Sequence, residues 1–258
     1  MEQLSINGSA YTLEGPISAP VVVLIHGLGL DHSIWKDIAK ILSADFRVLN
    51  YDLYWHGSSR HPDQTPSLSV FSRQLAGLLD ELEIRVAALV GFSLGGMINR
   101  RFAMDHPDRV TALGILNSPH EREQDQQRLV EERASQTASG GPAATIDTTL
   151  ARWFTPGFLA SHPEVVIDIK GRVLANDPTA YAGCRKVLAT GVLELIRPEP
   201  AIALPALVMT CENDSGSTPK MTRGIAREIA GAVTVIVPAL QHLGLIEQPE
   251  LFSGPVSD

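Results

Sequence analysis

The sequence contains little of what stabilises secreted, zinc-bound or membrane-embedded proteins. Its only two cysteines, Cys184 and Cys211, are too few for a disulfide framework or for a zinc site built on thiolates. Its apolar runs, such as Val21–Ile25, are far shorter than the roughly 20 residues that a membrane-spanning helix needs. The sequence therefore predicts no metal, no membrane contact, and a fold held together by its own core.

The sequence also has fewer basic than acidic residues. The chain has 21 Lys and Arg residues against 29 Asp and Glu residues, which gives a formal net charge of -8. Proteins bind nucleic acid largely by neutralising phosphates with Lys and Arg, so no nucleic-acid partner is expected. The start, "MEQLSINGS", lacks the positive charge and apolar stretch of a signal peptide, and a cytoplasmic location is expected. The sequence leaves the oligomeric state open.

What is present is the composition of an ordinary globular protein. The 258 residues are 44% hydrophobic and 19% charged, which falls in the usual range for such chains. A single α/β domain of this length buries about three quarters of the surface that its unfolded chain exposes. The chain is therefore long enough for one large core without disulfides.

Strand and helix patterns alternate along most of the chain. Short apolar runs predict strands over 21–25, 46–52, 86–91, 110–116, 205–210 and 232–238. Helices are predicted over about 34–42, 65–82, 94–104 and 219–230, the second of them starting at Thr65-Pro66. Asn7-Gly8 indicates a β-hairpin near the start. Because the strands are continuous apolar runs, the pattern predicts an α/β fold in which helices cover both faces of a mostly parallel sheet.

Residues 120–198 break this alternation with helical patterns and no strand. They predict an α-helical insertion into a core formed by residues 1–119 and 199–258. The insertion starts with the charged run "EREQDQQRLVEER" (121–133), which we interpret as a solvated helix face without a chemical role.

The segment "ALVGFSLGG" (88–96) carries the strongest chemical signal. It places Gly-x-Ser-x-Gly, centred on Ser93, between a buried strand and a helix, where a strained turn exposes the serine hydroxyl as a nucleophile. The alternative is a tight turn whose serine only caps the helix. Strain of this kind is more typical of a catalytic role.

A serine nucleophile needs a base for its proton and preset donors for the oxyanion that forms. The donors predicted here are the backbone amides of Leu28, in the glycine-rich loop "HGLG", and of Leu94, which follows Ser93 at a helix N-terminus. His26 is expected to order that loop through hydrogen bonds and not to act as the base.

The order of these motifs resembles that of α/β-hydrolase-fold proteins from end to end. The resemblance implies that residues 120–198 form a helical cap, that Asp214 in "VMTCENDSGSTP" is the acid and that His242 in "QHLGLIEQPE" is the base. Glu212 is a competing carboxylate whose position matches less well. The other place where the fold can carry its acid falls close to Asn117, which cannot ionise. Glu247 and Pro249 are expected to anchor the start of the last helix.

Several segments are more specifically similar to 3-oxoadipate enol-lactonases and related hydrolases: "HGLGLDHSIW", "GFSLGGMI", "HPDRVTALGILNS", "RWFTPGF" and "YAGCRKVL". This similarity implies a cofactor-free enzyme acting on a small ester or lactone, with a carboxylate on the substrate. Arg152 and Arg185 are candidate partners of that carboxylate, with Trp153 as a packing wall, although both arginines could equally be surface residues.

Three features depart from the enol-lactonase pattern. "DLYWHGSS" has Tyr54-Trp55 where these enzymes usually have Arg-Gly, and Trp55 is therefore expected near the site entrance as a further substrate contact. Cys211 stands where glycine is usual. The chain ends at Asp258, inside what should be the final helix, so the sequence is expected either to be clipped or to end unusually early.

The sequence supports a serine hydrolase first and leaves other functions open. The same triad can cleave an amide or a carbon-carbon bond. A protein of this fold can also keep the triad and work as a ligand sensor that binds a small molecule and then a partner protein. Ligand-dependent partner binding with slow single turnover would favour the sensor.

Overall fold

The structure, a computed structural model, describes residues 1–257 apart from the side chain of Ser139, and Asp258 lies outside the described residues. Its strands are β1 (Gln3–Leu4), β2 (Ala10–Glu14), β3 (Val21–Ile25), β4 (Arg47–Tyr51), β5 (Ala87–Phe92), β6 (Val110–Leu116), β7 (Ala206–Cys211) and β8 (Val233–Val237). They form one sheet in the order β1-β2-β4-β3-β5-β6-β7-β8. The six strands β3 to β8 run parallel to one another. Strands β1 and β2 are antiparallel to each other, and β2 is antiparallel to β4. The α/β-hydrolase fold predicted from the sequence is confirmed.

Helices flank this sheet. The α helices of residues 1–257 are α1 (Lys36–Leu42), α2 (Leu68–Glu81), α3 (Leu94–Asp105), α4 (Gln124–Gly140), α5 (Ile146–Trp153), α6 (Pro156–Ser161), α7 (Pro163–Leu174), α8 (Pro178–Thr190), α9 (Pro219–Glu228), α10 (Gly244–Glu247) and α11 (Glu250–Ser257). Short 3₁₀ helices cover His32–Trp35, Pro107–Arg109, Pro142–Ala144 and Gly191–Glu194. Helix α1 packs against α11, α2 against α3, and α3 and α9 pack on the strands. None of these helices has the length and apolar character needed to cross a bilayer.

The sheet forms where the apolar runs predicted it. Val23, Leu24 and Ile25 in β3 are completely buried, because the central strands have packed side chains on both faces. The predicted hairpin is also present, with Gln3 of β1 opposite Tyr11 of β2.

The start of α2 differs from the prediction. The helix begins at Leu68 and not at Thr65-Pro66, because Ser67 is the residue that caps it. Ser67 has an extended backbone, and its hydroxyl accepts a hydrogen bond from the amide of Val70 at 3.2 Å. A serine with an extended backbone satisfies a first-turn amide that would otherwise lack a partner, so Thr65 and Pro66 remain in the preceding loop.

The sheet brings the ends of five distant strands to one edge. Ile25 at the end of β3 lies opposite Gly91 of β5, and Leu116 at the end of β6 lies opposite Phe92 and Met209. Strand β8 then pairs with the end of β7. The loops that follow β3, β5, β6, β7 and β8 therefore emerge side by side, which is where open parallel sheets bind their ligands.

Between β6 and β7 the chain forms α4 to α8, and residues 120–198 contain no strand. We call residues 120–198 the insertion. Helix α4 packs along α8. Arg172 on α7 pairs with Asp31 at 2.7 Å, and the Asn176 amide donates to the Gly29 carbonyl at 3.1 Å. These contacts tie the insertion to the loop that follows β3.

Candidate active site

The turn between β5 and α3 holds Ser93 in a strained conformation. Its φ of 55° and ψ of -111° are uncommon for a residue with a side chain, and such strain is typical of functional sites. A Cβ on Gly91 would collide with the carbonyl oxygen of Gly95, and a Cβ on Gly95 with that of Ile25. The two glycines of the motif are therefore required by backbone packing around the serine.

The loop after β3 lies against this turn. A Cβ on Gly27 would come within 3.2 Å of the Ser93 Cβ. The amides of Leu28 and Leu94 have no hydrogen-bond acceptor in residues 1–257. Leu94 is the first residue of α3, and amides in the first turn of a helix lack intrahelical partners and carry the positive end of the helix dipole. Both amides are therefore available to an oxyanion.

His26 is a structural residue of this loop. Its Nδ1 donates to the carbonyl of Gly27 at 2.7 Å, and its Nε2 accepts from the amide of Leu53 at 2.9 Å. Burial lowers the pKa of His26, so the ring is neutral and both nitrogens are engaged. The sequence-based expectation for this histidine agrees with the structure.

Asp214 and His242 form a buried pair after β7 and β8. The His242 Nδ1 lies 2.6 Å from Oδ2 of Asp214. The same oxygen accepts from the Asn117 amide at 2.9 Å, while Oδ1 accepts from the backbone amides of Gly216 at 2.8 Å and Ser217 at 2.9 Å. The carboxylate therefore has four donors and a fixed orientation.

These donors keep Asp214 ionised. Burial by itself would raise the pKa of this carboxyl, but the neighbouring His242 and the hydrogen bonds from His242, Asn117 and Ser217 outweigh burial and lower the pKa. Because Nδ1 of His242 bonds the carboxylate, Nε2 is the ring nitrogen left for chemistry. The ring packs between Phe92 and Trp153, with centroids 4.9 and 6.1 Å away.

Asn117 occupies the place where some proteins of this fold carry their acid. Its backbone is left-handed, with a φ of 46°, and its side chain is completely buried. It serves the neighbouring carboxylate as a hydrogen-bond donor. Glu212, the competing carboxylate, instead accepts from the amide of Ala239 at 2.9 Å at the exposed surface.

A cavity of about 230 Å³ brings the predicted residues together. Ser93, His242, Asp214 and Leu28 all line it, and these four form what we call the core wall. No hydrogen bond joins the Ser93 hydroxyl to His242 within residues 1–257, which is common when no substrate is bound.

The opposite wall comes from the insertion. Arg152 and Trp153 at the end of α5 and Arg185 on α8 line the same cavity. Arg185 is 8% exposed, and its Nε is buried without a hydrogen-bond partner in the described residues.

Trp55 does not line this cavity, and the prediction that it contacts substrate there is wrong. Its backbone is left-handed, with a φ of 65°, and its side chain is 5% exposed. The ring packs edge-on against Phe71 of α2 at 5.6 Å and against Tyr54 at 6.0 Å. The Trp55 side chain, expected at the entrance to the site, is therefore part of the hydrophobic core.

Two further arginines of the cavity were missed. Arg122 and Arg133 lie in the run 121–133 that we interpreted as a solvated face, yet both line the cavity. Within α4 the lining residues Gln126, Leu129, Val130 and Arg133 recur at helical spacing. The spacing of these four residues could have been recognised from the sequence. The surrounding charged residues favoured the interpretation as a solvated face instead. Arg122, Arg133, Arg152, Trp153 and Arg185 together form the insertion wall.

The loop that carries His242 is fastened to the insertion. The amide of Leu243 donates to the Trp153 carbonyl at 2.8 Å. The Glu247 carboxylate accepts from the Thr155 amide at 2.8 Å and from its hydroxyl at 2.6 Å. The expectation for Glu247 is therefore corrected: it holds the N-terminus of α6 and does not anchor the last helix.

One cluster elsewhere has the residue types of a metal site. Ligand atoms of Glu2, His32 and Asp52 lie within 4.8 Å of one another. However, Oδ1 of Asp52 accepts from the amide and from Nδ1 of His32, at 2.7 and 2.8 Å, and Oδ2 accepts from the Ser58 amide at 2.8 Å. The carboxylate oxygens are thus already used in ordering the loops after β3 and β4.

Comparisons with known proteins agree with this architecture. A model of the alpha/beta hydrolase family matches residues 22–254. 3-Oxoadipate enol-lactonase 2 of Acinetobacter baylyi is 26% identical over 95% of this chain and 90% of its own length. The (E)-2-((N-methylformamido)methylene)succinate hydrolase of the same organism is 26% identical over 96% of this chain and 92% of its own. The crystal structure of the enol-lactonase from Burkholderia xenovorans LB400 superimposes with a TM-score of 0.89 and 31% identity, covering 99% of this chain and 98% of that one.

Proposed function

The chain belongs to the alpha/beta hydrolase family and is a hydrolase, and from that premise we propose that it cleaves a small, carboxylate-bearing ester or lactone with Ser93, His242 and Asp214. The observation that carries the proposal is the 2.6 Å bond from His242 to a buried carboxylate, in the same cavity as a strained serine. This is the arrangement of nucleophile, base and orienting acid that acyl transfer requires.

In the first half of the proposed reaction Ser93 is acylated. Rotation of the serine hydroxyl toward Nε2 of His242 lets the ring take the proton as the oxygen attacks the carbonyl carbon. The oxyanion of the tetrahedral intermediate accepts hydrogen bonds from the amides of Leu28 and Leu94, each worth about 10²- to 10³-fold in rate. Collapse breaks the ester bond, and His242 returns its proton to the leaving oxygen. Asp214 stays ionised and stabilises the imidazolium.

The second half releases the acid. A water molecule gives its proton to Nε2 of His242 and attacks the acyl carbon, and the second tetrahedral intermediate uses the same two amides. Its collapse returns the proton to the Ser93 oxygen and frees the carboxylic acid. In this route the protein's own groups carry every proton, and no cofactor takes part.

We assign substrate binding to the insertion, which acts as the cap of the site. Arg152 and Arg185 bind the substrate carboxylate, and Trp153 packs against its carbon skeleton. Arginine suits this role because its planar donors match a carboxylate in two parallel hydrogen bonds. The enol-lactonase and succinate hydrolase names of the two relatives are compatible with such a substrate.

The test replaces Ser93 with alanine and measures kcat/KM on a panel of enol-lactones, acyl-lactones, short aryl esters and amides. Ser93→Ala is expected to lower kcat by a factor on the order of 10⁶, as loss of the nucleophile does in other serine hydrolases. Ser215→Ala is the matched control, because Ser215 lines the same cavity from an exposed position.

Undiminished turnover by Ser93→Ala on the best substrate would remove the serine from the mechanism. A wild-type protein that binds a ligand, turns over once and retains the product would indicate the sensor function instead of the enzyme.

A further inference from the structure

The cavity contains far more positive charge than a single carboxylate would need. Four arginines line it: Arg122, Arg133, Arg152 and Arg185. The only carboxylate among its lining residues is Asp214, and that group is bonded to His242. In a chain whose net charge is -8, this is a local excess of the opposite sign.

None of the four arginines forms an ion pair within residues 1–257. Arg122 donates only to neutral acceptors, among them the carbonyl of Ala189 at 3.2 Å. Arg152 likewise bonds the Thr148 carbonyl at 3.3 Å and the Thr149 hydroxyl at 3.4 Å. By contrast, Arg172 on the outer part of the insertion contacts both oxygens of Asp31 at 2.7 Å.

The four guanidinium groups also repel one another. Burial, reinforced by the charge of Arg185, lowers the pKa of Arg122 to about 10. Burial together with the charges of Arg133 and Arg185 lowers the pKa of Arg152 to about 10. Burial together with the charge of Arg133 also lowers the pKa of Arg185. A bound anion opposes these shifts, because opposite charge nearby favours the ionised form.

The arginines come from two parts of the insertion. Arg152 and Arg185 lie on α5 and α8, while Arg133 lies on α4 and Arg122 just before it. One carboxylate has two oxygens and can engage one or two guanidinium groups at short range. A substrate with one carboxylate would therefore leave the half-buried Arg122 and Arg133 without a counter-charge.

We propose that Arg122 and Arg133 form a second anion subsite, and that the natural substrate is an ester or lactone bearing two carboxylates. The substrate assignment rests on the proposed function of the same cavity, whereas the subsite itself is a binding property. In this arrangement Arg152 and Arg185 hold one carboxylate and Arg122 and Arg133 hold the other, with the reacting carbonyl at Ser93 between them.

The experiment measures binding in the Ser93→Ala protein, so that it does not depend on turnover. Its probes are glutarate, a five-carbon dicarboxylate, and pentanoate, the five-carbon monocarboxylate, titrated by calorimetry or by intrinsic tryptophan fluorescence. Glutarate is expected to bind at least about tenfold more tightly than pentanoate, since a charge-assisted hydrogen bond is worth that much or more. Arg122→Gln and Arg133→Gln should each reduce this preference, and together should abolish it, while the affinity for pentanoate stays unchanged.

Arg128→Gln is the control on the same helix. Arg128 is exposed and pairs with Asp125 at 3.3 Å and with Glu132 at 4.0 Å on the outer face of α4, so the preference for glutarate should survive its replacement. Arg152→Gln should weaken both ligands. A thermal melt of each variant shows whether it is folded.

Equal affinity for glutarate and pentanoate in the Ser93→Ala protein would overturn the second subsite, as would an unchanged preference in the Arg122→Gln, Arg133→Gln double variant. Both results are independent of the reaction. If the preference is present but wild-type protein hydrolyses no ester or lactone, the subsite stands and the proposed function fails.

Discussion

The two walls of the cavity are built by different means. On the core wall, tight turns and buried hydrogen bonds set the positions: Ser93 is held by the packing of Gly91 and Gly95 against neighbouring carbonyls, and Asp214 by two backbone and two side-chain donors. On the insertion wall, long side chains reach in from helices and from the segment before α4, and the four arginines have no ionic partner within residues 1–257. The core wall is ordered before substrate arrives, whereas the insertion wall has positive charge that no ion pair within residues 1–257 balances.

This difference separates two tasks. Chemistry requires atoms held to within a fraction of an ångström, which strand ends and tight turns provide. Under the proposed function, recognition requires matching charge, which the arginine side chains of the insertion provide. Changes in the core wall should therefore act mainly on kcat or on folding, and changes in the insertion wall on substrate affinity.

Among the changes that compare the two walls, the largest effect is expected from Asp214→Asn. The amide can no longer stabilise a positive imidazole and favours the wrong tautomer, so kcat should fall about 10⁴-fold, as it does in a related triad, with little change in KM. Steady-state kinetics on the best ester or lactone measures both values.

Glu212→Gln is the control for that change. Glu212 lies two residues earlier and bonds the Ala239 amide at the surface, so its replacement should leave kcat within about twofold, as surface changes do. If the two variants lost activity equally, the acid would be assigned to the wrong carboxylate.

The next largest effect compares one glycine from each part of the chain. Gly95→Ala places a Cβ against the carbonyl oxygens of Ile25 and His26, where backbone cannot yield, and should lower the free energy of unfolding by at least about 3 kcal/mol. Gly171→Ala, in α7 of the insertion, meets nothing within 4 Å and should raise it by about 0.5–1 kcal/mol.

Urea denaturation followed by circular dichroism measures both changes. A Gly95→Ala protein as stable as wild type would show that the turn around Ser93 is not tightly packed, and the contrast between the two walls would lose its basis.

The smallest effect concerns the junction between the walls. Glu247→Gln removes the charge that holds the Thr155 amide and hydroxyl, at 2.8 and 2.6 Å, and should lower stability by about 1–3 kcal/mol. Because the same segment carries His242, kcat should fall more than KM rises.

Glu250→Gln is the matched control, since Glu250 is exposed at the start of α11 and its loss should change stability by less than about 0.5 kcal/mol. Equal melting temperatures for the two variants would argue against a structural link through Glu247.

The sequence predicted the core closely. The strand over 21–25 and that over 110–116 were predicted with the bounds of β3 and β6, because a buried parallel strand is a local apolar run. The turn at Ser93 was also readable, since the glycines that it needs stand two positions to either side. In both cases the residues that carry the pattern lie within a few positions of the strand or turn that they predict.

Other features depend on contacts between distant parts of the chain. Trp55 enters the core because Phe71 lies beside it, and Asn117 becomes a donor because Asp214, 97 residues later, meets its amide. Neither neighbour can be read from the local pattern. The sequence contained the pattern that places the cavity-lining residues on one face of α4, but it did not show that this face meets the cavity.

The sequence alone therefore determined the parallel sheet, the strained serine and the acidic balance of charge, because each is set by short-range patterns of apolar residues, glycines and charges. Only the tertiary structure decided which face of each insertion helix meets the cavity, and with it the cluster of four arginines that form no ion pair in the described part of the chain. Helices of the insertion can present either face to solvent on local grounds, and packing against the core selects the face that is buried.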